Sequence, residues 1–168
     1  MPLRKAALTC LETVLDTLPE CLDVGAFMPR LVTLLSDKDE VKLQGYHILC
    51  KLCVHAPGVV LGSADALIEP LEKTVTKKST KDGVVGPEAE RALELIRSGL
   101  RAVMVVNRIE DISQNRRWAD FVDRLSRKDS PTAGMLEALA AANTERGGEL
   151  ERACDKEGEG DRTVCVLR

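Results

Sequence analysis

The chain has 168 residues, 44% of them apolar and 30% charged, with a net charge of −3. That is enough apolar material for a packed core in a domain of ordinary size, with no global positive field to draw nucleic acid. Aromatic residues are only 2% (Phe27, Tyr46, Trp118 and Phe121), too few for a platform that stacks bases, and no apolar run approaches the ~18 residues that cross a bilayer.

Pro2 suits the first position of a helix. Leu3, Ala7, Leu11, Val14, Leu15 and Leu18 recur near a 3.6 period, which predicts a helix over 2–18 that Pro19 ends. A second helix is predicted over 24–36, bent by the internal Pro29. Ser36 is the expected cap of a third, with Asp39 as its capping-box partner. That helix runs over about 39–55, with Val41, Leu43, Tyr46, Leu49, Leu52 and Cys53 on its apolar side, and Pro57 closes it. A short helical turn is expected over 57–62. Ser63 is then the expected cap of a helix to about Val75, again with an internal proline, Pro70. Residues 76–86 are polar and carry glycine, so they read as a loop. Pro87 opens a long helix to about Asn107 whose stripe is Ala92, Leu93, Ile96, Leu100, Val103 and Met104. Ser113 is the expected cap of a helix holding Trp118, Phe121, Val122 and Leu125. Ser130-Pro131 reads as a cap and first-position proline, opening a last helix that ends near Ala142. Residues 143–168 are rich in Glu, Gly, Arg and Asp, a composition expected to be disordered.

Two offsets repeat. Leu3-Arg4, Leu11, Val14 and Pro19 map onto Val41-Lys42, Leu49, Leu52 and Pro57, 38 residues on; Pro29 and Pro70 lie 41 apart. In Phe27 to Lys42 a proline-containing amphipathic helix, a Leu-Leu pair, an aspartate turn and a Val-Lys entry follow one another. This resembles the HEAT repeat, an antiparallel helix pair that stacks on copies of itself. The expected fold is therefore all-α, a short HEAT-like helical repeat solenoid (an α-α superhelix) over 1–142, with a flexible charged tail over 143–168. A non-repeat helical bundle is the alternative. The first helix matches the second half of a repeat, so its apolar face is expected to lack an upstream neighbour. The chain thus reads as the downstream end of a longer solenoid, or as a piece that docks on another chain.

The ordered residues Leu3-Arg4-Lys5-Ala6-Ala7 through Asp16, Leu22-Asp23, Pro57 to Leu61, Leu67-Ile68-Glu69-Pro70-Leu71 and Arg97 to Val105 resemble the C-terminal region of the cullin-associated, neddylation-dissociated proteins. These are also called TATA-binding-protein-interacting proteins. The resemblance covers roughly residues 2–142. It implies a non-catalytic HEAT scaffold without cofactors that wraps unmodified cullin–RING ligases. Its C-terminal end competes with the substrate adaptor for the cullin, promoting exchange of substrate receptors. The implied partner is a cullin scaffold; the repeat pattern adds an upstream solenoid chain, and charge and hydropathy point to no nucleic acid and no membrane. The location expected from reduced thiols and the lack of a signal segment is cytoplasm and nucleus. A generic HEAT adaptor for another protein complex is the alternative function.

His47, Cys50, Cys53 and His55 have metal-ligand residue types. On a helix the first three share a face at three-residue steps, but one straight helix cannot wrap a tetrahedral ion, so core packing is expected. Lys73, Lys77, Lys78 and Lys81 suit a solvated helix end or a contact with an acidic partner. Arg116 and Arg117 beside Trp118 are candidates for an interface patch, with Trp118 expected to be half-buried. Lys77, Lys78, Lys81, Arg116 and Arg117 are accordingly the candidate partner-binding residues. The C-terminal Cys165-Val-Leu-Arg168 lacks a usual last residue for prenylation. No nucleophile triad, P-loop or dinucleotide fingerprint is present in the sequence. Met1 to Lys5 offer no signal h-region, and the six cysteines show no disulfide spacing, so reduced thiols are expected.

Overall fold

The computed structural model describes residues 2–77, 86–127, 132–139 and 141. The expectations for Lys78, Lys81, Ser130-Pro131 and the 143–168 tail lie outside them. The described elements are helical throughout: α1 (Pro2–Thr17), α2 (Val24–Leu34), α3 (Asp39–His55), α4 (Pro57–Gly62), α5 (Ala64–Val75), α6 (Pro87–Val106) and α7 (Arg116–Ser126). Short 3-10 turns lie at Pro19–Cys21 and Ile112–Gln114, and a further helical stretch covers 133–139.

The helices form two layers. In one, α3 packs between α1 and α6. In the other, α5 packs against both α2 and α7. The layers meet where α2 packs on α3 and α5 on α6. This is a short helical-repeat solenoid, with α2–α3 and α5–α6 as successive hairpins. The core between the layers is aliphatic: Leu31, Leu35, Leu49, Leu52, Leu67, Leu71 and Leu100 are fully buried.

Equivalent positions have the same local physics. Leu18 (φ −146°, ψ 59°) and Ala56 (φ −144°, ψ 56°) share one backbone conformation. Each precedes a proline, whose ring excludes the helical region for the residue before it. Each chain then enters a short helical turn at Pro19 or Pro57. The internal prolines are also matched. Thr33 Oγ1 donates to the Pro29 carbonyl and Thr74 Oγ1 to the Pro70 carbonyl, both at 3.1 Å. These threonines lie 41 residues apart, like the prolines, and extend the repeat beyond what the apolar pattern alone indicates.

Two glycines set how closely the hairpins close. A Cβ on Gly45 of α3 would meet Leu35 at 2.9 Å, and one on Gly99 of α6 would meet Val75 at 3.1 Å. In each case the end of a first helix presses on a second helix where no side chain intervenes.

Three expected serine caps are corrected. α3 starts after Lys38, not from a Ser36 capping box, and has no side-chain cap; the Asp37 carboxylate instead accepts from the Lys38 N–H at 2.8 Å. Ser63 precedes α5, but its side chain makes no cap bond, because α4 runs almost directly into it. α7 is capped by Asn115, whose Oδ1 accepts from Trp118 N–H at 3.1 Å; Ser113 lies in the preceding 3-10 turn. Trp118 is not half-buried but fully buried. Its indole N–H donates to Asn107 Oδ1 at 3.3 Å, and its ring meets Phe121 edge-on at 5.5 Å.

Candidate protein-binding surfaces

α1 and α3 are joined by a ladder of side-chain bonds. Lys5 Nζ donates to Glu40 at 3.1 Å, Gln44 Nε2 to Thr9 Oγ1 at 3.2 Å and Lys51 Nζ to Asp16 at 2.6 Å. Every rung spans 35 residues, a constant offset that only parallel, side-by-side helices give. Arg4 adds a rung to Asp37. Exposed pairs of this kind are worth about 0–1 kcal/mol each. They therefore fix register more than they stabilise.

The first-helix layer has a similar clasp. Asp65 accepts from Asn115 at 2.8 Å and from Arg117 at 3.0 Å, and Glu72 accepts from Arg124 at 2.9 Å. The Asn115 amide, aided by Arg117, holds the exposed Asp65 carboxyl below its ordinary pKa. These pairs line a polar groove of about 510 Å³ between α5 and α7. The sequence-predicted Arg117 therefore joins two helices of the fold. Arg116 and Lys77 are exposed at the start of α7 and just past α5. The structure does not join them into one patch: the start of α5 pairs with the start of α7 and its end with the end of α7, so Arg116 and Lys77 stand at opposite ends of this helix pair.

The four metal-type residues of α3 do not share a face. Cys53 is buried, Cys50 half-buried, and His47 and His55 are exposed. The expected common face for His47, Cys50 and Cys53 is thereby corrected: successive three-residue steps carry the positions round the helix from solvent into the core. Burial pushes the Cys50 thiol up to about 11, against the pull of Arg101. It pushes Cys53 to about 12, with the neighbouring Cys50 adding to the rise. Neither is a ready thiolate nucleophile or ligand.

Two exposed surfaces stand out. The first is an apolar stripe on α1. Leu3 is 85% and Leu18 51% exposed, and Ala7 and Cys10 between them are exposed as well. Val14 and Leu11 are only partly covered, while Leu8 and Leu15 on the adjoining arc are buried against the rest of the chain. Of the sequence-predicted stripe, Leu3, Ala7 and Leu18 therefore face outward. α3 is covered by α2 and α6 by α5, but no described helix covers α1 in the same way. The second surface is the outer face of α3 and α6, where Arg97, Arg101 and Arg108 are exposed. No reading of composition finds it, because the chain as a whole is acidic. The local signal is a lack of carboxylates, which run out between residues 41 and 64 and again between 95 and 109.

A family model described as TATA-binding protein interacting (TIP20) matches residues 1–126. The chain is 32% identical over 128 residues to Cullin-associated NEDD8-dissociated protein 1 of Arabidopsis thaliana, covering 76% of this chain and 10% of the relative. It is 31% identical over 139 residues to Cullin-associated NEDD8-dissociated protein 2 of Rattus norvegicus, covering 83% and 11%. It is 32% identical over 136 residues to Cullin-associated NEDD8-dissociated protein 1 of Drosophila melanogaster, covering 81% and 11%. The chain thus spans about a tenth of the length of these curated relatives.

Proposed function

The chain belongs to the TATA-binding protein interacting (TIP20) family, and from that premise we propose that it is a non-catalytic, protein-binding scaffold segment that engages unmodified cullin. The observation that carries this reading is the family match over three quarters of the chain, with relatives named as cullin-associated. The architecture supports it. Stacked helix pairs present long, shallow faces suited to large partners. The segment acts by steric competition: while it occupies the cullin, the substrate adaptor is kept off, and receptors exchange. A second partner is an upstream solenoid helix of the α2 and α5 type, laid on the apolar stripe of α1. That stripe is where the stacking pattern lacks its next first-layer helix.

The test is capture of unmodified cullin–RING complex by this chain, alone and joined to the stretch that precedes the matched region in the Arabidopsis relative. The expected result is capture that is strengthened by the upstream stretch and lost when adaptor is added. Capture that is indifferent to adaptor contradicts the competition. No capture in either form removes the cullin and leaves a scaffold for some other protein.

A further inference from the structure

We infer that the outer face of α3 and α6 is a cationic docking band for an acidic protein segment. This deepens the scaffold reading, on which it rests, by giving the partner's contact surface a chemistry. The chain carries 27 Asp and Glu residues, yet none falls between 41 and 64 or between 95 and 109. Those two stretches lie side by side. A Cβ on Gly99 would sit 3.6 Å from the Tyr46 ring, and Arg101 is near enough to Cys50 for its charge to act on the thiol. The carboxylate-free lengths of the two helices therefore form one continuous surface.

That surface exposes Arg97 and Arg101 on α6, Arg108 just past its end and His47 on α3, with Lys51 less exposed beside them. Arg97 and Arg108 form no ion pair among the described residues. Arg101 reaches Glu94 at only 3.8 Å. This contrasts with the first-helix layer, where Arg117 and Arg124 are held at 3.0 and 2.9 Å by facing carboxylates. Cations left without partners on a helix face are available to an incoming anion. Val54, 67% exposed, lies one turn on from Cys50 on the same side of α3. Arginine grouped with an exposed apolar side chain is the composition of protein interfaces. A phosphate backbone finds no use for the valine. The occupant that fits is a protein segment with several carboxylates and at least one apolar side chain.

The experiment measures binding of a fluorescent synthetic peptide rich in Asp, Glu and Leu to the full chain. A single-stranded oligonucleotide of matching length is the comparison. Arg97→Glu with Arg101→Glu reverses the band; Arg30→Glu with Arg127→Glu makes the same charge change on the other layer. All four residues are exposed, so helicity and melting are expected to hold. Arg97→Ser with Arg101→Ser serves as the milder variant. The expected result is peptide binding that weakens with salt and at least about ten-fold with the band reversal, less with the serine pair, and little with the control pair. No peptide binding, equal loss in both reversals, or tighter binding of the oligonucleotide overturns the band. Binding of unmodified cullin separates the two claims. Peptide held through the band without any cullin binding supports the band and sinks the cullin reading. Cullin bound equally by the native chain and the band reversal overturns the band alone.

Discussion

Replacing Trp118 with alanine is expected to cost about 3–5 kcal/mol of stability, the range for truncating a large buried aromatic side chain. That is a large part of the ~5–15 kcal/mol that holds a typical domain folded. Three losses combine at this position. The fully buried indole leaves a void next to Phe121, since densely packed helices collapse only in part around a deleted ring. The edge-on contact at 5.5 Å goes with it. Asn107 loses the donor at 3.3 Å that ties the end of α6 to α7. Trp118→Phe keeps much of the volume but neither the indole donor nor the full contact, and should cost about 1–2 kcal/mol. Urea unfolding followed by circular dichroism measures both. A loss below about 1 kcal/mol for the alanine variant would mean that the α6–α7 junction is not packed through this ring.

The second large effect is alkaline unfolding. Burial pushes Cys50 up to about 11, Cys53 to about 12 and Tyr46 to about 12, from ordinary values of 9.0, 9.0 and 10.0. For Tyr46 the Thr74 hydroxyl opposes the rise and Asp39 adds to it. All three sit on α3, and in each case the folded state prefers the neutral form. Below about pH 9 both folded and unfolded chains keep these protons, and stability is undiminished. Between about pH 9 and 12 the unfolded chain releases protons that the folded chain retains, so stability falls with rising pH. Each unit of separation is worth about 1.4 kcal/mol, which makes the total loss on the order of several kcal/mol. Ellipticity followed through an alkaline titration should therefore show cooperative loss of helix in that window. Cys50→Ala with Cys53→Ala should move the transition to higher pH. A chain equally stable on both sides of the window would contradict the burial of this face of α3.

How much of this was legible in the sequence depended on which physical signal each feature leaves there. Helix positions were the clearest, because a 3.6 period of Leu, Val and Ile needs no tertiary partner to be seen. The repeat was visible in Pro19 with Pro57 and Pro29 with Pro70, since proline marks backbone geometry directly. Capping was less legible. Ser36, Ser63 and Ser113 are all plausible cap residues, but a cap also needs the right entry angle: α3 and α5 have no side-chain cap, and Asn115 caps α7 in place of Ser113. Burial on α1 could be read only as a stripe. Which arc of that stripe faces the chain and which faces outward depends on the direction from which α3 approaches. The candidate binding residues were the least legible part. A run of lysines or a pair of arginines looks free on the page, whereas Arg117 is drawn into the fold by an aspartate 52 residues away. The arginines of α6 are spread at helical spacing and look unremarkable in sequence. Only their alignment beside the carboxylate-free stretch of α3 from Val41 on makes them a surface.

We propose that this segment is a scaffold for cullin in its unmodified form. The most direct measurement is a side-by-side titration of the chain onto one cullin–RING complex prepared with and without conjugated NEDD8. The relatives' name joins cullin association to NEDD8 dissociation, so the account predicts binding to the unconjugated complex that is at least about ten-fold weaker once NEDD8 is attached. Equal affinity for the two forms, or none for either, would contradict it.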